Sequence, residues 1–203
     1  MRSALLLVTI LTLSSVASAA TPADDAFRRS YAREAAGDVA AALTSLDGVG
    51  ETPLNAYVLR LRRGWLLYLA GRNTDSAAAY EKAIELEPKA VEPKLGILLP
   101  LLADRRFAKA RSHAEAALVI APQDLTALGK LAWIEYSMLR YEKAAAAYSR
   151  ALTLYPASID LRAGLAWSLL RLRRFPEAKE QLERVLAVAP DHASAKEGLA
   201  AIP

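Results

Sequence analysis

Apolar positions return along this chain at one fixed step. The run WIEYSMLRYEKAAAAYSRALTLYP closes on Pro156, and prolines stand one step of 34 residues away on either side, at Pro122 and Pro190, with Pro88 a step further back. Residues inside the step keep the same register: Ser76, Ala110, Ala144 and Ala178; Tyr80, Ala114, Tyr148 and Leu182; Ala83, Ala117, Ala151 and Val185; and, further upstream, Gly64, Leu98, Ala132 and Ala166. Within one step, Ala144, Ala147, Tyr148 and Ala151 fall at i, i+3, i+4 and i+7, the apolar stripe of an amphipathic helix. Self-similarity at this period is the mark of a helical solenoid, in which each repeat buries its apolar face only against its neighbours. The pattern predicts paired helices at 54–70 and 75–86, 90–103 and 107–120, 125–139 and 141–154, and 159–172 and 176–187.

Both ends of the array are irregular. Residues 24–49 read as a degenerate first repeat with helices at 25–36 and 38–46, Asp38 capping the second and Gly37 matching Gly71 one step later. Glycine and proline at 48–53 then interrupt the chain. After His192 a last helix reaching Ala201 is expected to cover the apolar edge of the fifth repeat. Pro100 falls inside a predicted helix, where it removes the hydrogen bond to the Gly96 carbonyl and should bend the chain; either a tolerated kink or a local widening of the groove follows.

A small residue, then alanine, then tyrosine, then alanine, then proline at these offsets resembles the tetratricopeptide repeat. Gly64, Ser76, Tyr80, Ala83 and Pro88 carry the match in the second repeat, and Ala132, Ala144, Tyr148, Ala151 and Pro156 in the fourth. The resemblance implies an all-α protein: a right-handed α-solenoid of antiparallel helix pairs, about five repeats plus a C-terminal capping helix. The expected divisions are 20–52 for the degenerate repeat, 53–90, 91–124, 125–158 and 159–192 for the others, and 193–203 for the cap. One departure is useful. The aromatic usual near the start of the first helix is replaced by Arg60, Lys94, Leu128 and Arg162, and tryptophan stands five residues later at Trp65, Trp133 and Trp167.

Composition adds limits. The hydrophobic share of 54% is dominated by Ala and Leu, the strongest apolar helix formers. No cysteine is present, which removes disulfides, thiolate catalysis and cysteine-held zinc. Residues 1–20 order one arginine, an apolar run and the small residues Ala17-Ser18-Ala19, the layout of a secretory signal cut after Ala19 (residues 1–19), so the mature chain is expected in a bacterial periplasm. No second hydrophobic span follows, so no transmembrane segment is expected in the mature chain. The whole-chain charge of +4 is too slight and too dispersed to suggest nucleic acid.

Enzymatic constellations are absent from the sequence. His113 and His192 fall on different repeats, no metal-ligand spacing, phosphate loop or nucleophile elbow occurs, and Glu81, Glu85 and Glu87 lie near lysines as on any solvated helix face. No enzyme activity, cofactor or metal is expected; the partner is a protein or peptide segment.

The resemblance places first helices along a concave face. Its groove positions fall on Tyr31, Trp65, Leu99, Trp133 and Trp167, with a second row at Glu34, Tyr68, Leu102, Tyr136 and Leu170, flanked by Leu61. An aromatic row of this kind offers much contact area at low entropy cost. The same spacing also suits rings packed into the core, and the sequence leaves both readings open. The family's carboxylate-gripping lysines are missing, since Phe27, Leu61, Leu95, Gly129 and Ala163 stand there; Arg28, Arg62 and Lys130 are the polar edges left. A second pattern is electrostatic: Arg72, Arg105, Arg106, Arg140, Arg173 and Arg174 gather in turns inside repeats, while Glu87, Asp124, Asp160 and Asp191 lie in turns between them. Helix dipoles account for that arrangement, and an anionic partner along the arginine edge would exploit it. The functional expectation is therefore a scaffold or adaptor of the cell envelope. A glycan-binding module built on the tryptophans and a self-associating structural protein (a homo-oligomer through the solenoid ends) are the alternatives.

Overall fold

The computed structural model describes residues 21–203, so the expected signal segment lies outside the described residues. Those residues form helices and turns, with no strand among them. The order is α1 (Pro22–Ala35), α2 (Val39–Thr44), α3 (Ala56–Leu69), α4 (Asn73–Leu86), α5 (Glu92–Gly96), α6 (Leu98–Ala103), α7 (Phe107–Ile120), α8 (Leu125–Ser137), α9 (Tyr141–Leu154), α10 (Ile159–Arg171), α11 (Phe175–Val188) and α12 (Ala193–Ala200). Successive helices pack as antiparallel pairs, and each first helix also meets the second helix of the preceding pair, as α10 does with α9; α12 closes the array against α10 and α11. This is an α-solenoid.

Helix starts follow local chemistry. Thr21 and Asp24 form a capping box, each side chain accepting from the other's backbone N–H, so α1 begins before the expected residue 25. Asp38, Asp124 and Ser158 cap α2, α8 and α10. His192 Nδ1 accepts from the Ala195 N–H at 3.1 Å and caps α12. The expected helix at 90–103 is two pieces, α5 and α6, separated at Ile97. The break comes one residue after Gly96, whose carbonyl is the one that Pro100 cannot bond; Pro93 and Pro100 are both fully buried.

Turns within the repeats share a backbone device that the sequence hides. Gly37, Gly71, Arg105, Leu139 and Arg173, each 34 residues from the next, all have φ between 55° and 79°. The following residue closes each turn with a six-residue backbone bond, as from Arg72 N–H to the Leu67 carbonyl and from Arg140 N–H to the Glu135 carbonyl, both 2.9 Å. Glycine takes this left-handed conformation freely, whereas Arg105, Leu139 and Arg173 are strained there.

The buried apolar residues form three clusters along the array. Alanines such as Ala110, Ala144 and Ala178 are wholly buried and let helix backbones approach, while Tyr80, Tyr148 and Leu182 fill the space between successive first helices. A Cβ on Gly96 would stand 2.4 Å from Tyr80 Cε1, and one on Gly164 would stand 2.3 Å from Tyr148 Cζ. These glycines are seats for the rings. Where the ring position holds Ala114, the corresponding seat holds Lys130.

Candidate functional site

First helices α1, α3, α6, α8 and α10 present the expected groove rows, and the structure divides those residues into three settings. At the N-terminal end the row is occupied by its own network. The Arg62 guanidinium lies 3.8 Å from the centre of the exposed Tyr31 ring. Its Nε donates to Ser30 Oγ at 3.1 Å and its Nη1 to Glu34, which also accepts from Trp65 Nε1 at 2.5 Å. Burial raises the Glu34 carboxyl, but donation from Trp65 and Arg62 outweighs it and leaves the group below its ordinary value. Arg62 is thus a buried member of an ion pair and not the solvent-facing polar edge expected from the sequence. Trp65 lies against the first core cluster and against Tyr68, ring centres 6.0 Å apart. Leu61 packs on the middle cluster.

At the C-terminal end Trp167 packs partly into the last core cluster and donates its indole N–H to Ser194 Oγ at 2.7 Å. Tyr136 stands edge-on to Tyr141 at 5.3 Å, and its hydroxyl accepts from Arg171 Nε at 3.1 Å. Leu170 is buried.

Between these ends lies Trp133. It is 43% exposed, and among the described residues its indole N–H has no protein partner; Phe107 supports one edge at 5.9 Å. Its ring is shared by two open cavities. One, of about 680 Å³, is lined by Tyr68, Leu99, Leu102, Gly129, Lys130 and Trp133; the other, of about 520 Å³, by Trp133, Tyr136, Gly164, Trp167 and His192. Asp160 borders both. Lys130 and Asp160 have no ion-pair partner among the described residues. The three tryptophans therefore differ: Trp65 and Trp167 are anchored by hydrogen bonds and partly in the core, and Trp133 stands open to the two cavities.

The arginine edge is also uneven. Arg72 and Arg174 chelate Asp75 and Glu177 in the first turn of the following helix, and Arg140 lies 3.6 Å from Glu135. Arg72, Arg106, Arg140 and Arg174 occupy the residue just before a second helix, so the favourable position at one helix's C-terminus is also an unfavourable one at the next N-terminus. First-turn acids Asp75, Glu142 and Glu177 offset this in α4, α9 and α11, and α7 has none. Arg105, Arg106 and Arg173 have no carboxylate partner among the described residues. No cluster of His, Cys, Asp and Glu suited to a metal ion, and no helix long and apolar enough to cross a membrane, occurs among the described residues.

Comparisons agree with this architecture. Three family models described as tetratricopeptide repeat match residues 58–90, 99–159 and 139–202. Among solved structures, MamA from Desulfovibrio magneticus RS-1 is 20% identical, with 86% of this chain and 98% of that one covered and a TM-score of 0.78. A tetratricopeptide repeat protein from Parabacteroides merdae ATCC 43184 is 18% identical, with 89% and 72% covered and a TM-score of 0.81. YrrB, described as a TPR protein with an unusual peptide-binding site, is 14% identical, with 86% and 90% covered and a TM-score of 0.73. At these identities the likeness is one of fold. No curated protein matches the chain.

Proposed function

The chain belongs to the tetratricopeptide repeat family, and from that premise we propose that it is a non-enzymatic scaffold of the cell envelope that seats a segment of a partner protein across Trp133. Repeats of this family serve protein–protein interaction, which supports the scaffold reading. The envelope location rests on the secretory layout of residues 1–19. The observation that carries the binding mode is the open Trp133 ring, shared by two cavities that an extended segment could fill with successive side chains. An exposed aromatic with depressions on both sides has the composition of a binding hot spot. Lys130 and Asp160, at the cavity borders, add one charge of each sign to fix register and direction.

A glycan would ask for several open ring faces. Trp65 lines neither cavity and Trp167 is partly packed on the core, so Trp133 would carry most of that stacking, and a protein segment is the better fit. The test places a photo-crosslinking residue at Trp133 in one strain and at Lys143, on the outer helix α9, in another. A protein adduct from position 133 and none from 143 is the expected result. A folded protein that gives no adduct at 133, or equal adducts at both positions, refutes the groove reading.

A further inference from the structure

One protruding residue breaks two local rules at once. Leu139 is 71% exposed and has φ of 61°, in the turn position that Gly37 and Gly71 occupy in earlier repeats. A β-carbon is disfavoured there, and a large apolar side chain at a turn tip gains nothing from the fold. Its neighbours on the same edge are basic. Segments 103–109, 138–143 and 171–177 carry Arg105, Arg106, Lys109, Arg140, Lys143, Arg171, Arg173 and Arg174 against Asp104, Glu142 and Glu177.

These turns are side by side. Asn73 Nδ2 donates to Asp104 Oδ1 at 2.7 Å, joining the second-repeat turn to the third, and Arg171 meets Tyr136 across the fourth and fifth. Between the third and fourth turns lies a depression of about 470 Å³ with Arg105, Arg106 and Lys109 at its border and Phe107 and Met138 within it. Lys109 is paired with Glu81, Arg140 with Glu135 and Arg174 with Glu177, whereas Arg105, Arg106 and Arg173 have no carboxylate partner among the described residues. These three cations, an apolar recess and an apolar tip coincide on one edge.

We propose that this edge docks on an anionic lipid surface, Leu139 entering the headgroup–acyl boundary while Arg105, Arg106 and Arg173 contact phosphates. An acidic protein would account for the arginines but not for an exposed leucine standing at the tip with no recess of its own. A lipid interface accounts for both, because it is anionic at the phosphate level and apolar just beneath.

Flotation with vesicles of mixed phosphatidylglycerol and phosphatidylcholine, against phosphatidylcholine alone, tests this on the full chain. Every variant carries the same N-terminal segment, so its apolar run contributes equally to all. Wild-type protein is expected on the anionic vesicles, with binding that weakens as salt rises. The Arg105→Ser/Arg173→Ser variant should lose about fivefold per arginine. Leu139→Gly should lose about tenfold while unfolding no more easily than wild type, because it relieves the strained turn. Leu99→Ala, at a cavity residue that does not line the edge recess, should bind vesicles as wild type does, which separates this edge from the groove. Equal binding to both vesicle types overturns the proposal. So does Leu139→Gly binding at full strength while soluble polyglutamate competes, a result that would assign the edge to an acidic protein.

Discussion

Replacing Gly164 by alanine sets two known effects against each other. Gly164 lies inside α10 with ordinary helical backbone, so alanine there gains about 1 kcal/mol of helix propensity. The new Cβ would meet Tyr148 at 2.3 Å from Cζ, 2.5 Å from Cε1 and 2.8 Å from the hydroxyl oxygen. Tyr148 is buried in the largest core cluster, so the ring can move only by leaving its rotamer or by pushing α10 from α9. Overpacking of this kind costs about 1–3 kcal/mol. A 2.3 Å approach to a confined ring falls at the upper end of that range, about 2–3 kcal/mol, so the clash wins. Gly164→Ala is expected to lose about 1–2 kcal/mol, a fall of roughly 4 °C in the thermal midpoint for a chain of this size. Circular dichroism gives the midpoint, and tryptophan emission gives a local readout because Trp133 and Trp167 border the same cavity as Gly164. Gly129→Ala is the control. Its Cβ would have only Leu161 Cδ2 at 3.4 Å, so the propensity gain should prevail and stabilise by about 0.5–1 kcal/mol. Combining Gly164→Ala with Tyr148→Leu should recover most of the loss relative to Tyr148→Leu alone. If Gly164→Ala proves neutral or stabilising, the ring is not confined and the seat argument fails.

Leu139→Gly and Arg173→Gly should each raise stability by about 0.5–1 kcal/mol in urea titrations, the left-handed cost of 1–2 less the extra freedom of an unfolded glycine. Glu34 has its carboxyl held low, so its contribution is present above the unfolded value near about 4.3 and is lost as pH falls through the folded one; Glu34→Gln should flatten the acid limb of stability against pH. His113 is held below its ordinary value by burial and then by the charge of Lys109, so the folded state favours the neutral ring. Its contribution is full above the unfolded value near about 6.5 and is lost as pH falls through the folded one, and His113→Gln should remove that part of the pH dependence.

Helix pairs were legible because proline, alanine and aromatic positions repeat at one period, and each of those residue types has a fixed backbone or packing preference. The starts of α7 and α9 fall where the pattern places them. What stayed hidden involves partners distant in sequence or conformations that the residue type disguises. Nothing local says that Arg62 will turn inward to Glu34 and Ser30, some 30 residues away. A turn holding Gly37 and Gly71 announces its left-handed residue; the same turn holding Arg105, Leu139 and Arg173 does not, although the 34-residue step carries the assignment forward. Trp65, Trp133 and Trp167 look equivalent in sequence. Only the different neighbours, Glu34 for one and Ser194 for another, make the middle ring the open one.

The pairing of ring and seat also constrains how such a chain could be rearranged. Tyr80 faces Gly96, Tyr148 faces Gly164 and Leu182 faces Gly198, whereas Ala114 shares its register with Lys130. Excising residues 91–124 keeps the period but sets Tyr80 against Lys130, a large group on a large group. Excising 125–158 sets Ala114 against Gly164 and leaves a hole. Excising both together sets Tyr80 against Gly164, a join of the type already present. Repeats that look interchangeable by length are therefore keyed at their joints, and in this array the third and fourth travel as a couple.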